Sequence, residues 1–210
     1  MKDNTRPIDI ILSASGLIIC SPLFLIAAIL IKATSKGPVF FLQKRVGLHN
    51  KDFTIYKFRT MREGAAKQNA LTIGSKDSRI TAIGYYLRKY KLDELPQLYN
   101  VLKGEMSIVG PRPELRAYVE LYSAEQRNVL SIRPGITDFA SIKFKNENDL
   151  LAAADNPERY YINDILPLKL QLSQQYLKNK SLRNYFFVIW ATISGKTNCC
   201  NLYLENANCV

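Results

Sequence analysis

In the stretch Arg88-Lys89-Tyr90-Lys91-Leu92-Asp93-Glu94-Leu95-Pro96-Gln97-Leu98, two adjacent carboxylates stand among three cations and just ahead of a proline. Proline is tolerated in a helix only in the first turn, where its missing N–H would be unpaired anyway. The spacing therefore predicts a helix that starts near Pro96, with Asp93 at or next to its N-cap. There the helix dipole and the nearby cations favour the ionised form, giving a carboxylate ready to act as nucleophile or metal ligand. An Asp at a helix start is most often only a cap, and an Asp-Glu pair beside Lys and Arg is most often a solvated surface. The surrounding residues decide between these readings.

Those residues suit an anion. Gly104-Glu105-Met106-Ser107-Ile108-Val109-Gly110-Pro111-Arg112-Pro113 sets Arg112 between two prolines. Such a rigid mount spares conformational entropy and can hold a guanidinium fork against phosphate. Arg133-Pro134-Gly135-Ile136-Thr137 is a second rigid turn. Arg88, Lys57 and Arg59 add further positive charge upstream.

The elements that must position these groups begin with an apolar run. From Ile10 to Ile31 no residue is charged, and about 22 helical residues reach roughly 33 Å, the thickness of the bilayer hydrocarbon. The run is too long for the apolar part of a cleaved signal peptide, and no clear small-x-small site follows it. Pro22 deletes an amide donor and collides with the carbonyl of Ile18, so a straight helix is excluded. Lys2 and Arg6 precede the run and Lys32 and Lys36 follow it, which draws both ends to the cytoplasmic side. We expect a re-entrant helix broken at Ser21-Pro22, the Ser21 hydroxyl satisfying a carbonyl that the proline frees. An ordinary kinked span is the competing arrangement.

After the Gly37-Pro38 turn, Val39 to Arg45 and Phe53 to Arg59 are rich in β-branched and aromatic residues around a polar Gly47-to-Asp52 connection, which predicts a β-hairpin. Its alternation places Lys57 and Arg59 on one face and Tyr56 and Phe58 on the other; solvated edge-strand charges would look the same. Residues 62–80 are polar. Helical spacings then run over Ile83 to Leu102 with an interruption at Asp93, over Glu114 to Ile132, over Asp149 to Ala154, and over Pro157 to Tyr176 with a break near Pro167. Leu182 to Ile193 is apolar and aromatic but too short to span a bilayer. It fits an interfacial amphipathic helix anchored by Lys178, Lys180, Arg183 and Lys196, or a helix packed on the core. The fold class is α+β, mainly helical.

A chain of 210 residues, 47% hydrophobic, can bury one core and is neither disordered nor collagen-like. Ten of the eleven net positive charges fall within residues 1–103, so the N-terminal half faces nucleic acid, a phosphorylated substrate or an acidic membrane. A nucleic-acid binder needs an exposed basic-aromatic face and no membrane run, so no nucleic-acid partner is expected. Cys20, Cys199, Cys200 and Cys209 form no CxxC pair, and His49 is the only histidine, so no zinc site is expected. Cys20 reads as apolar filling, and acylation of the cysteines in the tail is a hypothesis only.

Ser21-Pro22 in an N-terminal apolar run, Lys57-Phe58-Arg59-Thr60-Met61, Leu92-Asp93-Glu94-Leu95-Pro96-Gln97, Gly104 to Pro113 and Arg133 to Thr137 occur in one order. In this the chain, over residues 1–195, resembles the monotopic phosphoglycosyl transferases, the bacterial sugar transferase family. The resemblance implies Mg²⁺-dependent transfer of a phospho-sugar from a UDP-sugar to a polyprenol phosphate such as undecaprenyl phosphate, with release of UMP, as the first membrane step of a glycan. It implies that Asp93 is the nucleophile and a magnesium ligand, that a covalent phosphosugar intermediate forms, and that kinetics are ping-pong. Glu94 completes the dyad, in metal binding or in proton transfer. Arg112 is the expected phosphate ligand, followed by Arg88 and Arg133, then Lys57 and Arg59.

The implied organisation is a re-entrant membrane helix over 1–36, a cytosolic catalytic domain over 37–196 with interfacial helices, and a polar tail over 197–210. It implies a monotopic protein of the bacterial inner membrane, in contact with membrane lipids and facing the cytoplasm. The sequence gives no oligomeric state. Two positions depart from the family pattern: Glu105 replaces an expected Asp, and Asp138-Phe139-Ala140-Ser141 replaces a Gly-Trp-Ala/Ser-Gln type ending. Donor recognition is where those changes are expected to act, so the sugar is left open. A non-catalytic, membrane-anchored basic binding module would keep the apolar run and the basic half without needing Asp93, Glu94 or Arg112.

Overall fold

The computed structural model describes residues 5–64 and 77–195; Lys2, Lys196, most of the polar stretch 62–80 and the 197–210 tail lie outside them. Helices α1 (Arg6–Ile19) and α2 (Ser21–Thr34) part at the expected dipeptide and are bent by 57°. Pro22 blocks the helical bond to Ile18, and the Ser21 hydroxyl donates to that carbonyl at 2.8 Å. No single helix among the described residues is long and apolar enough to cross a membrane; this bent pair passes that test together. Ile11, Ile18, Ile19, Leu25, Ile26 and Ile29 are each more than half exposed.

The other face of α1 is fastened to the rest of the chain. A Cβ at Gly16 would stand 3.0 Å from a Leu98 methyl. Arg6 donates to the carbonyls of Val101 and Leu102 at 2.6 and 3.0 Å, satisfying acceptors that a helix leaves open at its C-terminus. Asp9 is fully buried, and its Oδ1 accepts from the Ser107 hydroxyl, the Ile108 N–H and the Tyr185 hydroxyl at 3.1, 2.9 and 2.7 Å.

The predicted hairpin forms from β1 (Phe40–Val46) and β2 (Asp52–Phe58), antiparallel from Phe40 opposite Phe58 to Val46 opposite Asp52. Phe58 packs edge-on against Phe24 and stacked on Phe40, tying the hairpin to α2. The predicted helical stretch with an interruption at Asp93 becomes α3 (Ala82–Lys89), a 3-10 turn Leu92–Glu94 and α4 (Gln97–Lys103). Strands β3 (Ser107–Val109) and β4 (Gly135–Thr137) pair in parallel, which the sequence reading did not anticipate. The two Pro/Gly turns cross there: a Cβ on Gly135 would lie 2.1 Å from the Gly110 nitrogen, and one on Gly110 2.5 Å from the Arg133 carbonyl. Only glycine allows that approach.

The long helix expected over 114–132 is corrected to α5 (Arg116–Val119) and a 3-10 segment Gln126–Ser131. The reason is a capping box: the Ser123 amide donates to the Gln126 side chain and the Gln126 amide to the Ser123 hydroxyl, so the chain restarts there. Then follow α6 (Phe139–Lys143), α7 (Glu147–Ala152) and α8 (Pro157–Tyr160). A π turn at Tyr161–Ile165 leads into α9 (Leu166–Lys178), where Pro167 supplies the predicted break. Helix α10 (Leu182–Ser194) packs on the core through Tyr185, Val188 and Ala191, all fully buried, while Phe186, Trp190 and Ile193 are exposed. Two apolar clusters, one around Phe139, Tyr176 and Tyr185 and one around Tyr118, Tyr161 and Ile165, hold these helices together.

Candidate active site

Lys91 adopts left-handed backbone angles, φ 56°, a conformation that costs a non-glycine residue about 1 kcal/mol. It ends α3 and turns the 3-10 segment so that Asp93 and Glu94 reach a cavity of about 230 Å³ lined by seven basic and four acidic residues. Asp93 is therefore not an N-cap: Pro96 occupies that position and α4 starts at Gln97.

The two carboxylates are treated differently. Lys57, from β2, donates to Glu94 Oε1 at 2.8 Å, and Arg112 forks onto the same group, with one nitrogen on Oε1 and the other on Oε2 at 3.1 Å. Burial works to raise the Glu94 pKa, but Arg112 and Lys57 hold it well below the usual carboxylate range. The carboxylate of Asp93 makes no hydrogen bond or ion pair among the described residues. Burial first, and then the charge of Glu94, push it up to about 6 against Lys57, Arg88 and Lys91. The expected stabilisation of ionised Asp93 is thus reversed, because burial and the charge of Glu94 outweigh the cations. Burial also lowers Lys57 and Arg88, while Glu94 raises Arg112.

Of the five predicted cations, the cavity gathers Arg112, Arg88 and Lys57. Arg59 is 6% exposed and points elsewhere, donating to the Lys36 carbonyl and, at 2.8 Å each, to the carbonyl and hydroxyl of Ser35. It closes the end of α2 against the hairpin. Arg133 donates to the Gly104 carbonyl at 2.8 Å and ties its own turn to the end of α4. Neither is among the described residues that line the cavity, and the contacts that hold them are structural.

The sequence reading missed the opposite end of the cavity. Glu114 accepts from the Tyr161 hydroxyl at 2.6 Å and from Arg45 at 3.4 Å, with the Lys169 ammonium 3.9 Å away. Lys169 pairs with Glu147 at 2.5 Å and lies 4.9 Å from the Tyr161 ring centre. Glu114 directly follows Pro113, so extending the proline-flanked motif by one residue would have included it. Tyr161 and Lys169 stand eight apart, about two helical turns, which places them on one face. Asp138 caps α6 through the Ser141 amide at 2.7 Å and accepts the Arg112 amide at 3.3 Å. The departure at 138 therefore supports the backbone of Arg112.

Comparison with known sequences places this arrangement. The chain matches the model of the bacterial sugar transferase family over residues 3–198 and belongs to that family. It is 38% identical over 193 residues to the UDP-N-acetylgalactosamine-undecaprenyl-phosphate N-acetylgalactosaminephosphotransferase of Aeromonas hydrophila, covering 90% of this chain and 42% of that protein. It is 39% identical over 156 residues to the UDP-glucose:undecaprenyl-phosphate glucose-1-phosphate transferase of Klebsiella pneumoniae, covering 72% and 34%. With the exopolysaccharide production protein ExoY of Sinorhizobium fredii it shares 38% identity over 159 residues, covering 69% and 70%. The chain thus spans less than half the length of the first two relatives.

Proposed function

We propose that this protein transfers a phospho-sugar from a UDP-sugar to a polyprenol phosphate, with Asp93 as nucleophile. What carries the reading is the contrast within the dyad: a buried, unpartnered carboxylate beside a neighbour fixed by two cations, in a predominantly basic cavity. Asp93 attacks the sugar-bearing β-phosphorus, the bond from that phosphorus to the bridging oxygen breaks, and the oxygen leaves with UMP. A lipid phosphate oxygen then attacks the same phosphorus and releases the Asp93 carboxylate. Charge balances in both halves without a proton when both monophosphates are dianions. Glu94, held ionised with both oxygens engaged, acts here as the group that orients Lys57 and Arg112 and not as a proton carrier.

Mg²⁺ fits this site in one manner. Among the described residues no three potential ligands cluster, but Asp93 offers a carboxylate without a protein partner, and magnesium is commonly held by one or two carboxylates together with substrate phosphates and water. Bound there, it would supply charge neutralisation for the diphosphate. The bent α1–α2 pair, with its exposed isoleucines and leucines, is proposed to enter and leave the cytoplasmic face of the bacterial inner membrane, which brings a lipid phosphate and a soluble donor to one surface.

The test is UMP release by detergent-solubilised protein and by Asp93→Asn, with Mg²⁺, undecaprenyl phosphate and a panel of UDP-sugars. Lipid-dependent release by the unmodified protein alone supports the reading. Equal release by the variant removes Asp93 as nucleophile, and silence from folded protein across the panel favours a binding module.

A further inference from the structure

The cavity holds more cations than its carboxylates use. Arg45 and Lys169 pair with Glu114, and Lys57 and Arg112 pair with Glu94. Two lysines on its lining, Lys91 and Lys145, have no ion pair or hydrogen bond through their ammonium groups among the described residues. Lys91 lies two residues from Asp93 and belongs to the wall that bears the nucleophile. Lys145 comes from the corner between α6 and α7, on a wall made by residues 141–148 of the C-terminal half. Its ammonium sits near Gly195 at the end of α10, 3.6 Å from the position a Cβ would take there.

In-line displacement at phosphorus sends the leaving oxygen away from the attacking one. The charge that builds on the nucleoside phosphate as the bridge breaks must be met on a wall other than the one that carries Asp93. A cation already neutralised by a buried carboxylate answers that charge weakly; an uncommitted one answers it fully. We propose that Lys145 binds the phosphate of the departing nucleoside monophosphate, making the α6–α7 corner the leaving-group side of the cavity. This inference rests on the phosphoglycosyl transfer proposed above.

The probe is UMP itself, titrated calorimetrically into the full chain in detergent, for the unmodified protein, Lys145→Ala and Lys145→Arg. UMP is expected to bind Lys145→Ala about tenfold or more weakly and Lys145→Arg within about threefold of the unmodified protein. Because Lys145 is exposed, the melting temperature should not move. A Lys145→Ala protein that binds UMP within twofold of the unmodified one overturns the inference, as does a loss of affinity that accompanies a loss of fold. If the unmodified protein releases UMP in a lipid-dependent way and Lys145→Ala binds UMP normally, only the role of Lys145 fails. If the unmodified protein neither binds nor releases UMP, the transferase reading fails with it.

Discussion

Asp93 and Glu114 line one cavity at the same depth, each 8% exposed, yet Asp93 has no side-chain partner among the described residues while Glu114 is met by Arg45, Tyr161 and Lys169. A buried charge is costly unless it is paired and hydrogen-bonded. The Glu114 end follows that rule and braces β1, α9 and the proline-flanked segment against one another. The Asp93 end breaks it, and keeps a reactive oxygen available at the cost of stability. Equal burial therefore marks opposite roles, and the partners distinguish them.

The sharpest way to break the comparison is Asp93→Asn, which should lower lipid-dependent UMP release by at least about 10³-fold while the far-ultraviolet circular dichroism stays unchanged. Residual turnover within tenfold would place the nucleophile elsewhere. Next in size is Glu114→Ala, which removes the ion-pair partner of the part-buried Arg45 and the acceptor of Tyr161 and should cost on the order of 3–4 kcal/mol in urea unfolding; a cost under 1 kcal/mol would make that end as dispensable as a surface pair.

The third prediction concerns pH. Asp93 has a folded pKa of about 6, above its unfolded value of 3.8, so the native state binds more protons than the unfolded one between those limits. The ionised carboxylate then destabilises the fold at pH 8, and that penalty disappears as pH falls through 6 toward 4. In EDTA at pH 8, Asp93→Asn should thus be more stable than the unmodified protein, by on the order of 2–3 kcal/mol, with the gain vanishing near pH 4. A variant less stable at pH 8 would contradict the uncompensated burial. Smallest is Tyr161→Phe, expected to lose about 1–2 kcal/mol for one hydrogen bond to a charged acceptor and to leave UMP release within threefold.

Much of this was readable from local chemistry. The Ser21-Pro22 break, its hydroxyl bond to Ile18, the hairpin and the interruption at Asp93 all follow from residues a few places apart. What escaped the sequence depends on distant partners. Arg59 and Arg133 have the same charge as Arg112, but tertiary contacts with Ser35 and Gly104 hold them outside the cavity. The β3–β4 pair joins segments of only three residues, too short for a period-2 pattern to register. The reversed shift at Asp93 arises first from burial, which tertiary packing sets, and then from the charge of Glu94.

Asp9 has a different consequence, in the order of events during synthesis. Its Oδ1 waits for the Tyr185 hydroxyl, 176 positions later, and at ordinary translation rates of about 5–20 residues per second that interval lasts about 10 to 35 s. Until then only Ser107 and Ile108 can meet that carboxylate, at the root of the most apolar segment. Helix α1 is consequently fastened in two stages, first by residues 98–108 and only later by α10.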